Sequence, residues 1–222
     1  MKKLIIPFLL LSSIAMAKIT VTEIKGDFSS NNVKGSYIYP QFELDGKPIT
    51  NLNSDFSNKA KELKKKLNRD DEFQNQTWEY EDSFENHENN FNVTSIVLFD
   101  SFYEGGAHGT TVLSSLILDN KTGKELTFDD IFNPKLKKKF IEDMKDNVKL
   151  VIEKADPKAS MYVNNEIDLD GAIFFFDKND FVIKFQSYEV ASFAAGFPEF
   201  RLSKQYITPY LTKQFLKNMK NN

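Results

Sequence analysis

The chain contains no cysteine, and this feature most limits the ways in which it can fold. It excludes a disulfide framework, a thiolate nucleophile and any zinc site built on cysteine ligands. A hydrophobic core must therefore stabilise the fold. The sequence has the residues for one, because 21 Phe and 8 Tyr accompany its aliphatic residues. Each buried aromatic side chain removes on the order of 150–250 Å² from water.

The N-terminus has the pattern of a cleavable secretory signal peptide. Two lysines precede an apolar run over residues 4–11, and the Ala-Met-Ala triplet that ends at Ala17 resembles a signal-peptidase site. The run is shorter than the roughly 20 apolar residues that cross a bilayer. We therefore expect residues 1–17 to be removed and the mature chain to begin at Lys18. We also expect a secreted or periplasmic protein without a transmembrane segment after cleavage.

The charge balance argues against nucleic acid as a partner. The chain has 29 Lys and Arg against 32 Asp and Glu, which gives a formal net charge of −3 at pH 7. Proteins that bind nucleic acid neutralise phosphates with an excess of basic residues. We therefore expect no nucleic acid partner.

Hydrophobic periodicity predicts strands and helices that are grouped along the chain. Strand patterns occur over residues 18–25, 33–44, 72–84, 91–103, 110–118, 172–176, 181–185 and 200–202, and helical stripes over residues 52–67, 134–155 and 208–219. Thr127 begins a Thr-x-x-Asp capping pattern. Because strands and helices do not strictly alternate, we expect an α+β fold with antiparallel sheets and packed helices. Two small subdomains are predicted, over residues 18–109 and 110–222.

Two segments, residues 103–109 and 187–200, do not fit an ordinary helix or strand. Both combine small residues with aromatic and ionisable ones, so the backbone can turn sharply and approach another surface. We expect the two segments to meet in space and to form one binding surface. Its predicted residues are Tyr103, Glu104, Gly105, Gly106, His108, Tyr188, Glu189, Phe193, Gly196 and Phe197.

His108 and Glu189 are the candidates for acid–base chemistry in these segments. Histidine titrates near neutrality, so His108 can serve as a base or a metal ligand. No Ser-His-Asp arrangement accompanies it, and His87 has no ligand-like spacing to it. We expect His108 to hold its loop by hydrogen bonds, with a role in the binding surface as the alternative, and Glu189 to be a solvated or loop-tethering carboxylate. The sequence thus predicts no catalytic residue, no metal and no cofactor.

Residues 166–177 approximate the spacing of an EF-hand calcium loop. Glu166 stands where that loop has its first Asp, and Asp177 replaces the bidentate Glu. Strands, not helices, are predicted on either side. We therefore expect a turn that enters a buried strand.

Four stretches resemble known domains: residues 103–108 with Gly-Gly-Ala-His, residues 123–132, residues 170–171, and residues 188–200 with Tyr-Glu and Ala-Ala-Gly. Together they resemble two bacterial envelope domains that occur side by side, the domains of unknown function 4163 and 3298. Such pairs occur in the extracytoplasmic, lysozyme-sensing part of the anti-sigma-V factor and beside some peptidoglycan deacetylase domains. The chain differs from both in its expected cleaved signal and in having no room for a catalytic domain.

The resemblance implies a non-catalytic binding or sensing protein of the cell envelope. It also implies the ligand class, which is a lysozyme-like protein or a peptidoglycan fragment. The alternative is a small envelope hydrolase that acts on glycan or peptide and uses His108 with a carboxylate.

Overall fold

The structure is a computed structural model that describes residues 18–30, 32–65, 77–155, 171–190 and 192–219. For residues 147–155 and Ala195 only the backbone is described. The predicted signal peptide and residues 166–170 of the calcium-like loop lie outside the described residues.

Two sheets and their flanking helices make up the described part of the chain. The strands are β1 (Ile19–Ser29), β2 (Val33–Leu44), β3 (Lys47–Pro48), β4 (Trp78–His87), β5 (Val93–Tyr103), β6 (Thr110–Asp119), β7 (Ile173–Asp177), β8 (Asp180–Lys184) and β9 (Glu199–Ser203). The helices are α1 (Thr50–Lys65), α2 (Phe128–Ile131), α3 (Lys137–Ala155), α4 (Lys204–Ile207) and α5 (Lys213–Met219). Strand pairing is mainly antiparallel, which confirms the predicted α+β fold class.

The large sheet has the strand order β1-β2-β4-β5-β6, with the short β3 beside β2. Its hairpins are antiparallel, whereas β2 and β4 pair in parallel. A parallel pair needs a crossover connection, and α1 supplies it between these two strands. β2 ends at a turn in which Asp45 and Gly46 both have positive φ angles, of 50° and 75°. The predicted division after residue 109 stays a prediction; β6, which follows it, pairs with β5.

One face of the large sheet packs on α1. The helix buries Leu52, Phe56, Ala60 and Leu63 at helical spacing. Tyr39 and Phe42 of β2 both reach Phe56, with ring centroids 5.8 Å and 6.1 Å away. The two residues are three positions apart, so in a regular strand their side chains would point to opposite faces of the sheet. Since both contact Phe56, the face of β2 that points toward α1 changes between them. Each fully buried aromatic ring contributes about 1.5–3 kcal/mol to stability.

The other face of the large sheet is covered in part by the three-stranded sheet β7-β8-β9. The buried side chains of Val97 and Leu113 in the large sheet pack against those of Ile173, Phe175 and Val182 in the small sheet. A larger aromatic cluster continues this core under α3 and α5. The end of the face where β1 and β5 finish is not covered by these strands, and the candidate site lies there.

The capping pattern at Thr127 is confirmed. Its side chain accepts a hydrogen bond from the Asp130 backbone N–H at 3.3 Å, and the Asp130 carboxylate accepts one from the Thr127 N–H at 2.9 Å. These reciprocal bonds satisfy the first amides of α2.

The single C-terminal helix predicted from Thr208 is wrong. Thr208–Tyr210 forms one turn of 3-10 helix, and α5 begins only at Lys213. The interruption has a tertiary cause, because Leu211 pairs with Phe132 in an isolated β-bridge. Thr212 then caps α5, since its hydroxyl accepts a hydrogen bond from the Phe215 N–H at 3.1 Å.

None of the described helices is both long and apolar enough to span a membrane.

Candidate functional site

The two unusual segments of the sequence meet in space. His108, in the β5–β6 loop, and Tyr188 and Phe193, after β8, form an aromatic cluster. The His108 Nε2 atom lies 3.2 Å from the Tyr188 hydroxyl oxygen. The His108 ring stacks on Phe193 with centroids 3.9 Å apart and an interplanar angle of 20°. The predicted meeting of the segments is therefore confirmed at these three residues, and their role in binding stays a prediction.

The segment that carries Tyr188 and Phe193 is fastened to the edge of β6 by Gln186. The Leu113 N–H donates to the Gln186 side-chain oxygen at 2.9 Å, and the Gln186 side-chain N–H₂ donates to the Leu113 carbonyl at 2.9 Å. The amide thus pairs with the strand as another strand would. Sequence reasoning missed Gln186, although a polar amide directly after a buried strand was a usable signal.

Glu189 tethers the same segment. It accepts a hydrogen bond from the Gln186 backbone N–H at 2.7 Å. It also lies against Gly171, where an added Cβ would meet its carboxylate at 1.7 Å. Tyr188, which lies between Gln186 and Glu189 in the sequence, has a φ of 70°, a conformation that is rare for a residue with a side chain. The observed contacts agree with the loop-tethering role expected of Glu189.

Hydrogen bonds within the β5–β6 loop and from β4 hold this loop in place. The Tyr103 hydroxyl donates to the Gly106 carbonyl at 3.0 Å, and Glu104 accepts a hydrogen bond from the Tyr80 hydroxyl at 2.7 Å. Gly105 and Gly106 have φ angles of 95° and 106°, which favour glycine. These predicted site residues therefore set the course of the loop that presents His108.

Phe197 and Gly196 differ in position from the rest of the predicted surface. Phe197 is half-buried and packs on the core between the two sheets, beside residues such as Phe175. Phe197, which is one of the residues predicted for the binding surface, already has apolar partners for its ring, and its role in binding stays a prediction. Gly196, with a φ of 68°, ends the 3-10 helix that carries Phe193.

A groove of about 870 Å³ crosses the uncovered end of the large sheet and reaches Phe193. Five polar residues form a row across it, and each is the direct cross-strand partner of the next: Asp27, Ser36, Glu81, Ser101 and Thr111. A second row beside it contains Ser29, Lys34, Glu79 and Tyr103. Since neighbouring strands lie about 4.8 Å apart, the five-residue row is about 19 Å long.

Strand alternation explains why this row is polar. Tyr80 of β4 and Tyr37 of β2 are buried on the α1 side of the sheet. Their sequence neighbours Glu81 and Ser36 therefore point to the opposite face. In the row itself, the Ser101 and Thr111 hydroxyl oxygens lie 2.9 Å apart and share a hydrogen bond.

The charge of the groove is uneven along its length. Lys34 pairs with Glu79 at 2.8 Å. Asp27 and Glu81 are exposed and have no ion pair within the part of the chain that the structure describes. The β1–β4 end is therefore negatively charged, and the β6 end is bounded by Phe193.

A second cleft, of about 530 Å³, lies between β1, β2 and α1. Thr22, Gln41, Asn53 and Lys61 contribute to its lining, which holds no aromatic ring among the described residues. No three His, Asp or Glu side chains within the described ranges gather as ligands for a metal ion.

Two family models match separate parts of the chain. Residues 28–111 match the model described as deacetylase PdaC, and residues 129–205 match the protein family of unknown function DUF3298. The predicted resemblance to domain 3298 is confirmed. The resemblance of the earlier part to domain 4163 and to the anti-sigma-V factor stays a prediction. No curated protein matches the sequence significantly.

Solved structures share the fold. A DUF3298 family protein from Pseudomonas aeruginosa PAO1 has a TM-score of 0.62 at 12% identity, covering 90% of this chain and 96% of its own. A member of the same family from Bacteroides fragilis NCTC 9343 has a TM-score of 0.54 at 13% identity, covering 93% of this chain and 99% of its own. At such identities the likeness concerns the fold alone. The two family matches indicate an envelope-associated protein in which a PdaC-like region is followed by a DUF3298-like region.

Proposed function

We propose that the protein is a non-catalytic cell-envelope binding protein that holds a peptidoglycan fragment in the groove. One observation carries this proposal: a polar row across five strands ends at an exposed, stacked aromatic ring. Ligand sites combine an aromatic face with a few converging polar groups. Sugars need that combination, because each ring has hydroxyl groups at its edge and C–H groups on its faces.

The length and spacing of the row suit an extended glycan strand. Successive polar side chains are about 4.8 Å apart, one strand spacing. A glycan strand presents hydroxyl groups at regular intervals along its length. The hydroxyls of Ser36, Ser101 and Thr111 can donate and accept hydrogen bonds at such intervals.

Phe193 supplies the apolar face. Its side chain is 39% exposed, and the His108 ring holds it in one orientation. A side chain that is already ordered loses less conformational entropy when a ligand binds. The stacked pair therefore favours binding without contributing to a core.

A lysozyme-like protein is the second candidate ligand. Tyr188 is 63% exposed and lies beside Phe193, outside the groove. Tyrosine and phenylalanine side chains are enriched in protein interfaces. A protein ligand would cover the aromatic cluster from above instead of entering the groove.

The hydrolase alternative requires His108 next to a carboxylate. The two ring nitrogens instead lie near the Gly109 carbonyl oxygen, at 2.8 Å, and the Tyr188 hydroxyl. Glu189, the carboxylate named with His108 as a candidate for acid–base chemistry, accepts a hydrogen bond from the Gln186 backbone N–H, and Glu104 accepts one from the Tyr80 hydroxyl. These contacts suit a His108 that positions an aromatic ring.

The same proposal includes export. The signal pattern that ends at Ala17 and the PdaC-like domain over residues 28–111 both favour a protein that works in the envelope outside the cytoplasm. Peptidoglycan is present in that compartment.

Isothermal titration of the purified exported protein against a soluble peptidoglycan tetrasaccharide tests the proposal. We expect saturable binding that Phe193→Ala weakens and no new products by chromatography. Val112→Ala is the control, because Val112 is 47% exposed and lies outside the groove lining. Binding of lysozyme without binding of the tetrasaccharide would favour the second candidate, and release of shorter sugars would favour the hydrolase.

A further inference from the structure

We infer that the groove selects glycans whose amino sugars carry free ammonium groups in place of N-acetyl groups. This inference rests on the proposed function and adds the chemical class of the sugar. It starts from the two carboxylates of the polar row, Asp27 and Glu81, which have no ion pair within the described residues although both line the groove.

The two carboxylates stand on either side of Ser36 in the row. Because Asp27 is on β1 and Glu81 on β4, with β2 between them, they are two strand spacings apart, about 10 Å. In a β-1,4-linked sugar chain every second ring faces the same way. Amino groups on alternate rings can therefore meet Asp27 and Glu81 together.

The burial of these carboxylates by a bound glycan explains the preference for free ammonium groups over N-acetyl groups. A bound sugar removes water from Asp27 and Glu81, and a buried charge without a partner is costly. An N-acetyl group is neutral and offers one N–H donor. An ammonium group offers three donors and the opposite charge, so it compensates the lost water more completely.

Lys34 does not cancel this negative charge. Its ammonium group lies 2.8 Å from Glu79 in the neighbouring row, which neutralises that carboxylate. The remaining charge in the polar row comes from Asp27 and Glu81. A cationic sugar chain therefore has charge complementarity with the groove, which favours specificity.

The opposite end of the groove sets the direction of the chain. Phe193 bounds the β6 end, where the row continues with the hydroxyls of Ser101 and Thr111. When a sugar ring at one end of the glycan stacks on Phe193, the ammonium groups of the other rings therefore lie toward β1. This polarity separates the proposed ligand from a simple cation, which needs no aromatic end.

Calorimetric titration with two tetramers tests the inference: β-1,4-glucosamine tetramer and its fully N-acetylated counterpart. We expect the full-length exported protein to bind the glucosamine tetramer at least about tenfold more tightly. Glu81→Gln and Asp27→Asn should each weaken that binding about fivefold, as expected for exposed ion pairs, and should reduce the preference over the acetylated tetramer by at least the same factor. Glu62→Gln, an exposed carboxylate of α1, is the matched control and should change neither. Raised salt should weaken binding of the glucosamine tetramer alone.

The outcomes separate this inference from the proposed function. Equal or tighter binding of the acetylated tetramer would overturn the inference and leave glycan binding supported. Absence of binding to both tetramers and to the peptidoglycan tetrasaccharide would contradict the proposed function. Equally tight binding of tetralysine would overturn sugar selection, because the groove would then respond to positive charge alone. A glucosamine preference that survives in both variants would overturn the assignment to Asp27 and Glu81.

Discussion

The imidazole ring of His108 stacks on the ring of Phe193 with centroids 3.9 Å apart, and so fixes an exposed aromatic ring at the end of the groove. The sequence predicted that their two segments meet, because both combine glycine with aromatic residues. It assigned His108 mainly to holding its loop. The structure shows a second contact of this exposed side chain, which is the stacked ring of Phe193.

Replacement of the stacked ring should weaken binding without unfolding the protein. We expect Phe193→Ala to reduce the affinity for a peptidoglycan tetrasaccharide by about 1–3 kcal/mol, as for an aromatic anchor. The urea midpoint should stay within error, since Phe193 belongs to no core cluster. Titration calorimetry and urea unfolding measure the two effects. Phe197→Ala should lower the urea midpoint and leave the affinity unchanged, because Phe197 packs on the core.

Loss of the Gln186 amide should destabilise the protein. Gln186→Ala leaves the N–H and the carbonyl of Leu113 without their partner at the edge of β6. We expect the free energy of unfolding to fall by about 1–3 kcal/mol. Urea unfolding measures this, and hydrogen exchange should accelerate at the Leu113 amide. Gln214→Ala is the control: Gln214 is exposed and its side chain donates one hydrogen bond, to the Asn218 side chain at 3.2 Å, so a change above about 0.5 kcal/mol there would weaken the account.

Local signals in the sequence located several elements well. The bounds of β2 agree with the prediction because the Asp-Gly pair at residues 45–46 ends the strand, and α2 begins where the Thr127 capping pattern indicates. The C-terminal helix was mispredicted because the pairing of Leu211 with Phe132 is a tertiary contact that no local pattern contains. The groove was missed for a similar reason. The residues of its polar row come from five different strands, so the row can be recognised only when the order of those strands is known.

The stability of the protein should decrease in acid partly through Asp130. The backbone N–H and the hydroxyl of Thr127, together with Lys124, outweigh burial and hold the pKa of Asp130 below its usual range. A carboxyl group with a lowered pKa contributes stability that is complete above its unfolded pKa of about 3.9 and is lost as the pH falls through the folded value. Asp130→Asn should therefore reduce the acid dependence of the unfolding free energy below about pH 5. An identical dependence in both proteins would refute this.

Export should expose a new N-terminus at Lys18. The signal pattern ends at Ala17, and the Lys18 backbone nitrogen lies 3.2 Å from an Asp45 carboxylate oxygen. We expect intact-mass measurement of the exported protein to give a chain that starts at Lys18 or within a residue or two of it. Recovery of a chain that retains Met1 in the membrane fraction would contradict the prediction.

The central claim is that the groove holds the glycan, and mapping by NMR of isotope-labelled protein tests it most directly. Addition of the glucosamine tetramer should shift the amide signals of the polar row, from Asp27 to Thr111, and the side-chain signals of Phe193. Signals from the second cleft, such as those of Asn53 and Lys61, serve as the internal reference and should not move. Shifts confined to that cleft, or an unchanged spectrum at saturating tetramer, would contradict the claim.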